Sequence, residues 1–221
     1  MLIKVCGMRE PENIRAVEAL HIDWMGFIFL PASKRFVAEK PAYLPEKCKR
    51  VGVFVNASLE FILQKASDFQ LNVIQLHGQE TPDFVLLLRQ RVPKSMLIVK
   101  VIPVALPEDF QALSAYEPHI DYFLFETKVP VTNYPPFGED SRGLSHYGGS
   151  GQQFDWQLLQ NYTLATPFLL TGGITPDDAP RIRQITHPAF AGIDLNSRFE
   201  QSPGLKNPAL IQQFLQQLKN L

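Results

Sequence analysis

Reactive side chains in this sequence stand at the ends of short apolar runs. Cys6 follows the run from Leu2 to Val5 and precedes Gly7. In parallel α/β proteins the reactive groups lie at the carboxyl ends of the strands, which is where a strand over this run would place a thiol. Taken alone, a buried cysteine is usually an inert small hydrophobic residue. The role of Cys6 therefore depends on the residues that lie beside it.

Other apolar runs are followed by polar residues in the same way. These residues are Ser33, Lys34 and Arg35; Gln75, His77 and Gly78; Glu126, Thr127 and Lys128; and Asp194, Asn196, Ser197 and Arg198. If all the runs were strands of one barrel, these residues would face a common mouth. A thiol, an imidazole, two carboxylates and an arginine would then converge there.

The elements that must position these residues are strands and helices in alternation. Apolar runs of strand length occur eight times, at 2–6, 24–30, 51–55, 73–76, 97–102, 122–125, 168–171 and 190–194. Helical patterns are predicted at 11–20, 59–66, 82–91, 107–116 and 208–218. This alternation predicts a (β/α)₈ TIM barrel of the α/β class, formed as a single domain over residues 1–221. A doubly wound open sheet is the alternative architecture.

Two segments interrupt the alternation. Pro41 and Pro45 fall where the second helix should lie, so a short or irregular helix is expected there. The segment 128–153 is rich in proline and glycine and is predicted to be a long loop after strand six. Long loops in compact domains are often functional, and this one is a candidate lid.

Glycine-rich segments indicate where an anion could bind. Gly172 and Gly173 follow strand seven, and a helix is expected from about Pro176. Glycines let backbone amides approach a phosphate, and in barrels the loops after strands seven and eight often form the phosphate site. Gly149 and Gly151, near the end of the long loop, form either a second amide cradle or a flexible flap.

The composition excludes several classes of partner. Lys and Arg number 21 against 22 Asp and Glu, without runs of like charge, so neither nucleic acid nor an anionic membrane is expected as a partner. No stretch approaches the roughly 20 apolar residues of a membrane span, and a signal-peptide core is missing. A cytoplasmic protein with a small-molecule partner is expected. Cys6 and Cys48 are both expected to be free thiols.

With these residues aligned, the sequence closely resembles the phosphoribosylanthranilate isomerase family of tryptophan biosynthesis. The resemblance spans nearly the whole chain. The motifs that carry it are Lys4-Val5-Cys6-Gly7, Ser33-Lys34-Arg35, Gln75-Leu76-His77-Gly78-Gln79-Glu80, Gly148-Gly149-Ser150-Gly151 with Phe154-Asp155-Trp156, Thr171-Gly172-Gly173-Ile174, and Gly192-Ile193-Asp194 with Ser197, Glu200 and Pro203-Gly204.

The resemblance implies a barrel enzyme that needs no metal or organic cofactor. It implies an Amadori rearrangement of N-(5-phosphoribosyl)anthranilate to 1-(2-carboxyphenylamino)-1-deoxyribulose 5-phosphate by acid–base catalysis. In the family the cysteine that ends strand one is the base, a position held here by Cys6. A base must be a thiolate, so we expect a positive potential from helix ends, backbone amides or Arg35.

The acid position departs from the family pattern. Strand six of the family usually ends in Phe-Asp-Thr, whereas this chain has Phe125-Glu126-Thr127. We expect Glu126 to act as the acid, although its extra methylene moves the carboxyl group by more than about 1 Å and such shifts can be costly.

By the same resemblance, Arg35 binds the anthranilate carboxylate with its forked donors. His77 and Asp194 orient the sugar hydroxyls or the anthranilate amine, although a histidine before a helix can also simply cap it. Gly149, Gly151, Gly172, Gly173, Asn196 and Ser197 bind the phosphate. Asn196 and Arg198 replace a serine and a glycine of the family pattern, and the role of Arg198 stays open between a phosphate contact and a solvent-facing side chain.

Two rival functions remain at this stage. The first is the function of another phosphosugar barrel, such as an epimerase or indole-glycerol-phosphate synthase. The synthase needs a catalytic lysine at the end of a strand, and only Lys4 and Lys100 lie in predicted strands near such a position. The other is a non-catalytic phosphosugar-binding barrel. The sequence leaves the oligomeric state open between a monomer and a homodimer.

Overall fold

The protein is a closed barrel of eight parallel strands. The computed structural model describes residues 1–128 and 153–219, and its strands follow one another around the ring in chain order, β1 to β8. Their bounds are Leu2–Cys6, Trp24–Ile28, Lys49–Phe54, Val73–Leu76, Leu97–Val104, Tyr122–Thr127, Phe168–Leu170 and Phe190–Leu195. β1 pairs in parallel with β8, which closes the ring. The predicted TIM barrel is confirmed, and the open sheet is excluded.

Five α-helices lie among the described residues. They are α1 Pro11–Glu18, α2 Leu59–Asp68, α3 Pro82–Arg91, α4 Ala179–Arg183 and α5 Pro208–Lys219. The side chains of Ser58 and Thr81 accept hydrogen bonds from the first turns of α2 and α3, so polar N-caps fix where these helices begin. A two-stranded hairpin of β9 (Glu200–Ser202) and β10 (Leu205–Lys206) precedes α5.

Alternation along the strands separates two apolar clusters. Trp24, Val51, Val73, Val99 and Leu124 belong to a compact cluster of residues that face the barrel interior. The residues that alternate with these along each strand point outward and belong to the larger cluster between the strands and the outer helices. Because successive side chains of a strand point to opposite faces, every second residue beyond the inner cluster also faces inward. The inward-facing residues at the strand ends include Cys6, Gln75, Glu126, Thr171 and Asp194.

Some predicted helices are shorter turns. In place of a helix at 107–116, the chain forms three 3₁₀ segments, Pro107–Phe110, Leu113–Ala115 and Glu117–His119. Asp109 accepts hydrogen bonds from the amides of Ala105 and Leu106 at the start of the first segment, and Pro118, which has no N–H to donate, lies in the last. The turns after Asp155 and Thr175 likewise begin as 3₁₀ segments, at Trp156–Asn161 and Pro176–Asp178.

The structure describes the first of the two irregular segments, residues 38–47, but little of the second, residues 128–153. No helix forms between β2 and β3, so the short or irregular helix expected near Pro41 and Pro45 is not found there. Most of the predicted loop at 128–153, including Gly149 and Gly151, lies outside the described residues. Within 1–128 and 153–219, the helices are too short or too polar to cross a bilayer.

A buried ion pair fixes the loop after β4. Lys100 lies on β5 between the inward-facing Val99 and Val101, so its side chain points outward, and its Nζ donates to Glu80 Oε2 at 2.9 Å and to the carbonyl of Gly78 at 2.7 Å. The Glu80 carboxylate also accepts from the amides of Asn56 and Gly78. Together these contacts hold the loop that begins at His77.

Replacing Lys100 with methionine tests this role. The variant leaves Glu80 as a buried carboxylate without its cation, so we expect the free energy of unfolding to fall by about 3–5 kcal/mol. Urea denaturation followed by circular dichroism measures the loss. The control is Lys94→Met at an exposed lysine, which should change stability by no more than about 0.5 kcal/mol. Equal unfolding curves for the two variants would contradict this account.

Candidate active site

One cavity opens at the carboxyl ends of the barrel strands. It is bounded by side chains from seven of the eight strands or the loops that follow them, all except β5. They include Cys6, Ser33, Arg35, Gln75, His77, Glu126, Thr171, Gly172, Gly173, Asp194, Asn196 and Ser197. The structure thus brings together every described residue for which a catalytic or binding role was predicted. Arg198 is exposed.

Cys6 lies at the floor of this cavity. Its side chain is buried, with 3% of its surface exposed, and it faces Gly26 on the neighbouring strand β2. A Cβ atom added at Gly26 would lie 2.6 Å from the Cys6 sulfur. Glycine at this position therefore provides the space that the thiol occupies.

The electrostatic surroundings of Cys6 differ from the prediction. Burial raises the pKa of the Cys6 thiol above its ordinary value, and Asp194 adds to this effect, while the ammonium groups of Lys4 and Lys206 lower it in part. Together these influences raise the pKa of Cys6, so the protonated thiol is favoured before any ligand binds. The cations that most strongly lower the pKa of Cys6 are Lys4 and Lys206. The sequence had instead suggested Arg35 as a source of positive potential.

Lys4 and Asp194 form a buried ion pair beside Cys6. The two residues lie opposite each other where β1 pairs with β8, and Lys4 Nζ donates to Asp194 Oδ2 at 2.7 Å. Burial is the largest single influence and would lower the pKa of Lys4, but the contacts with Asp194 and Cys6 together outweigh it and raise the pKa, which favours the ammonium form. Asp194 Oδ1 is buried and has no hydrogen-bond partner among the described residues. This oxygen is the acceptor that the site leaves for a ligand.

Arg35 is held by a second carboxylate, Glu200. Its Nε donates to Glu200 Oε1 at 2.9 Å and its Nη2 to Oε2 at 2.7 Å, which is the two-pronged geometry of a strong arginine–carboxylate pair. The hydrogen bond with Glu200 raises the pKa of Arg35. Glu200 occupies Nε and Nη2, so Nη1 is the guanidinium nitrogen left for a ligand.

Lys206 joins this pair from β10. Its Nζ is fully buried and donates to Glu200 and, at 2.9 Å, to Asn196 Oδ1. Although burial opposes it, the contacts with Arg35 and Lys206 lower the pKa of the Glu200 carboxyl group. The Arg35–Glu200–Lys206 cluster therefore links the loop after β2 to the loop after β8.

His77 and Glu126 are in direct contact across the cavity. His77 Nε2 lies 2.6 Å from Glu126 Oε2, and its Nδ1 lies 3.5 Å from Gln75 Nε2. The alternative interpretation, in which His77 simply caps the following helix, is wrong, because the N-cap of α3 is Thr81. A histidine and a carboxylate at this separation can share a proton.

The loop after β7 presents two glycines in conformations that other residues rarely adopt. Gly172 and Gly173 have φ angles of +85° and +67°. They line the cavity together with Asn196 and Ser197 from the loop after β8. Of the predicted phosphate residues, only Gly149 and Gly151 lie outside the described part of the chain. Within that part, no three His, Cys, Asp or Glu side chains are grouped to hold a metal ion.

Sequence reasoning assigned no role to Lys4, Gly26, Glu200 or Lys206. Lys4 could have been found, because it stands two residues before Cys6 and so faces the same side of the strand. Glu200 stands in one of the motifs that carry the resemblance, but neither Glu200 nor Lys206 carries a local signal for contact with Arg35, since both lie about 165 residues or more from it along the chain. Of the two lysines weighed as an alternative acid, Lys100 points away from the interior and Lys4 is paired with Asp194.

Comparisons with known proteins agree with this site. A family model described as N-(5'-phosphoribosyl)anthranilate (PRA) isomerase matches residues 3–217. The N-(5'-phosphoribosyl)anthranilate isomerase of Phocaeicola vulgatus is 49% identical over 219 residues, which cover 99% of this chain and 98% of that protein.

Solved structures show the same similarity. The crystal structure of phosphoribosyl anthranilate isomerase from Thermotoga maritima has a TM-score of 0.77 and 30% identity, with both chains fully covered. Another crystal structure of a phosphoribosyl anthranilate isomerase, in complex with reduced 1-(o-carboxyphenylamino)-1-deoxyribulose 5-phosphate, has a TM-score of 0.74 and 27% identity, again over both full chains.

The raised pKa of Cys6 can be tested by alkylation. In a Cys48→Ser variant, Cys6 is the remaining thiol, and we expect its rate of reaction with iodoacetamide to increase with pH to a midpoint above the ordinary value of 9.0, because only the thiolate reacts. Mass spectrometry of the modified peptide measures the rate. The Cys6→Ser variant identifies the contribution of Cys48, whose burial raises its pKa to about 12. A midpoint below 9.0 for Cys6 would contradict this electrostatic picture.

Proposed function

Because the chain belongs to the N-(5'-phosphoribosyl)anthranilate isomerase family, an isomerase family of tryptophan biosynthesis, we propose that Cys6 is the base and Glu126 the acid of its aldose–ketose rearrangement. The substrate is N-(5-phosphoribosyl)anthranilate and the product is 1-(2-carboxyphenylamino)-1-deoxyribulose 5-phosphate. The observation that carries this assignment is that Cys6 on β1 and Glu126 on β6 face one cavity from different sides of the ring.

The acid acts in the first step. Glu126 donates its proton to the furanose ring oxygen, the bond from that oxygen to C1 breaks, and the lone pair of the anthranilate nitrogen forms the C=N bond. The open chain is then a protonated Schiff base with a new hydroxyl group at C4. Its positive charge lies at C1 and nitrogen, within the same cavity as Cys6.

The base acts in the second step. Burial favours the neutral thiol in the empty site, but the cationic Schiff base reverses this preference, so Cys6 loses its proton to water once the ring has opened. The thiolate removes the proton from C2, and the electron pair of that bond forms C1=C2 while the C=N electrons return to nitrogen. In the resulting enolamine, C1 takes up a proton from the thiol and the C2 hydroxyl returns one to Glu126, which gives the ketose. Cys6, left as a thiolate, then takes back from water the proton that it lost earlier, so both groups return to their starting forms.

The other residues of the cavity hold the two anionic ends of the substrate. Arg35 binds the anthranilate carboxylate through Nη1, with its plane fixed by Glu200. The backbone amides at Gly172 and Gly173, with Asn196 and Ser197, bind the phosphate at the loops after β7 and β8, as the barrel architecture favours. Gly149 and Gly151, which lie outside the described residues, are proposed as phosphate ligands from the resemblance alone. His77 and Asp194 orient the sugar, and Asp194 Oδ1 accepts from one of its hydroxyl groups.

The role of Cys6 is tested by Cys6→Ser. Serine has nearly the same shape, but its hydroxyl is a far weaker acid than a thiol, so it cannot supply the base. We expect kcat to fall by about 10²–10⁴-fold with little change in KM. Product formation is followed by fluorescence of the anthranilate group. Cys48→Ser is the matched control at the other free thiol and should keep the parent rate. Parent-like turnover by Cys6→Ser would refute the assignment.

Glu126→Gln tests the acid. The amide keeps the size of the side chain but has no acidic proton, so we expect kcat to fall by about 10²–10⁴-fold. The gene is introduced into a tryptophan auxotroph that lacks this isomerase, and growth without tryptophan is scored together with purified-enzyme rates. Glu60→Gln, at an exposed glutamate of α2, should support growth as well as the parent does. Unimpaired growth and rate with Glu126→Gln would exclude Glu126 as the acid.

A further inference from the structure

We propose that His77 and Glu126 form one proton-sharing pair, in which His77 is a positioning residue that acts through Glu126 and keeps a proton available for the sugar ring oxygen. This inference rests on the proposed role of Glu126 as the acid. It assigns to His77 a part in proton supply, beyond the orientation of the substrate.

The geometry of the pair supports this role. The atoms His77 Nε2 and Glu126 Oε2 are 2.6 Å apart, which is short for a nitrogen–oxygen hydrogen bond and typical of one with a charged partner. The two side chains are mostly buried, with 17% and 15% of their surfaces exposed, so water competes little for the contact. Both line the cavity, so the proton they hold faces the ligand.

The backbone around His77 is fixed independently of Glu126. Lys100 Nζ donates to the carbonyl of Gly78, directly after His77, and is anchored by Glu80. The amide of His77 donates to the carbonyl of Phe54 on β3 at 2.7 Å. His77 is therefore presented to Glu126 by a rigid loop.

The length of Glu126 makes the contact possible. His77 follows β4 and Glu126 lies on β6, with β5 between them, so their backbones are separated by two strand spacings, about 9.6 Å in total. An aspartate at 126 would be shorter by one carbon–carbon bond of about 1.5 Å. It would leave its carboxylate near 4 Å from His77 Nε2 in the same backbone, beyond hydrogen-bond distance. In this backbone the contact with His77 thus depends on the length of the glutamate side chain.

The short hydrogen bond shows why such a pair is useful. A carboxylate that has given up its proton must otherwise recover one from water, whereas an imidazole in direct contact with it can hold a proton and pass it on across a single hydrogen bond. The pair can therefore restore the acid without waiting for solvent.

Other charged groups near the pair are largely compensated. The Asp194 carboxylate feels the His77 charge from β8 and is paired with Lys4, and Glu80 behind the loop is paired with Lys100. Cys6 faces the same cavity from β1, Arg35 is bound to Glu200, and Lys128 at the end of β6 is paired with Asp109. A change in pH dependence on altering His77 therefore reports mainly on the pair.

The proton balance is the same as for the carboxylic acid alone. The pair enters the step with one proton, donates it from Glu126 to the ring oxygen as the bond to C1 breaks, and is left as a neutral imidazole beside a carboxylate. The proton released by the C2 hydroxyl during ketose formation restores the pair. No oxidant, metal or further reactant is needed.

The first test is His77→Gln. Glutamine can still donate a hydrogen bond to Glu126 but cannot hold an exchangeable acid proton near neutral pH. We expect kcat at neutral pH to fall about tenfold or more, KM to change by less than about threefold, and the alkaline limb of the kcat/KM profile to move to lower pH. His119→Gln, which removes an imidazole outside the cavity, should leave both the rate and the profile unchanged. A loss of stability alone would reduce the active fraction without moving the pH profile.

The second test is a double-mutant cycle with Glu126→Asp. The shorter side chain restores the family's acid but loses contact with His77, so adding His77→Gln to it should lower kcat by less than about twofold. Equal effects of His77→Gln in the two backgrounds, or an unshifted pH profile, would overturn the inference. If the parent enzyme does not turn over the substrate, the proposed function fails instead. If the parent is active and Glu126→Gln is not, but His77→Gln matches the parent, only the pairing is wrong.

Discussion

The alternation of side chains along eight parallel strands decides which residues this protein can use for chemistry. In a closed ring, every second side chain along each strand points into a narrow interior. The lower part of that interior is filled by an apolar cluster that includes Trp24, Val73 and Leu124. Inward-facing polar residues can then lie only beside or above this layer. Cys6, Glu126 and Asp194 are brought to one cavity by this constraint, although they come from distant parts of the chain.

The same confinement explains the electrostatic pattern of the site. A narrow interior does not tolerate an unpaired charge, and each buried cation has a carboxylate partner: Lys4 with Asp194, and Arg35 and Lys206 with Glu200. The net positive potential available to Cys6 is therefore small, and burial keeps its pKa high. In the proposed mechanism the charge that activates Cys6 therefore comes from the substrate, which fits an order in which ring opening comes before removal of the C2 proton.

Local signals predicted much of this fold, and long-range contacts account for what they missed. The bounds of β1 and β4 and the caps of α2 and α3 follow from apolar runs and polar N-cap residues. The helix expected at 107–116 is wrong, because the chain there forms successive 3₁₀ segments that end in Glu117–His119. The Arg35–Glu200 pair joins residues that are 165 positions apart, so no local pattern could reveal it.

Glu126, the proposed acid at the end of β6, shows how a barrel can fix a long carboxylic side chain. A free glutamate would lose more conformational entropy than an aspartate when fixed in one orientation. Here its carboxylate is fixed at 2.6 Å from an imidazole, whose loop is in turn held by a buried ion pair on the outer face of β5. The side chain is thus held by a contact that aspartate is too short to make, and the position of its carboxylate is set jointly by β4, β5 and β6.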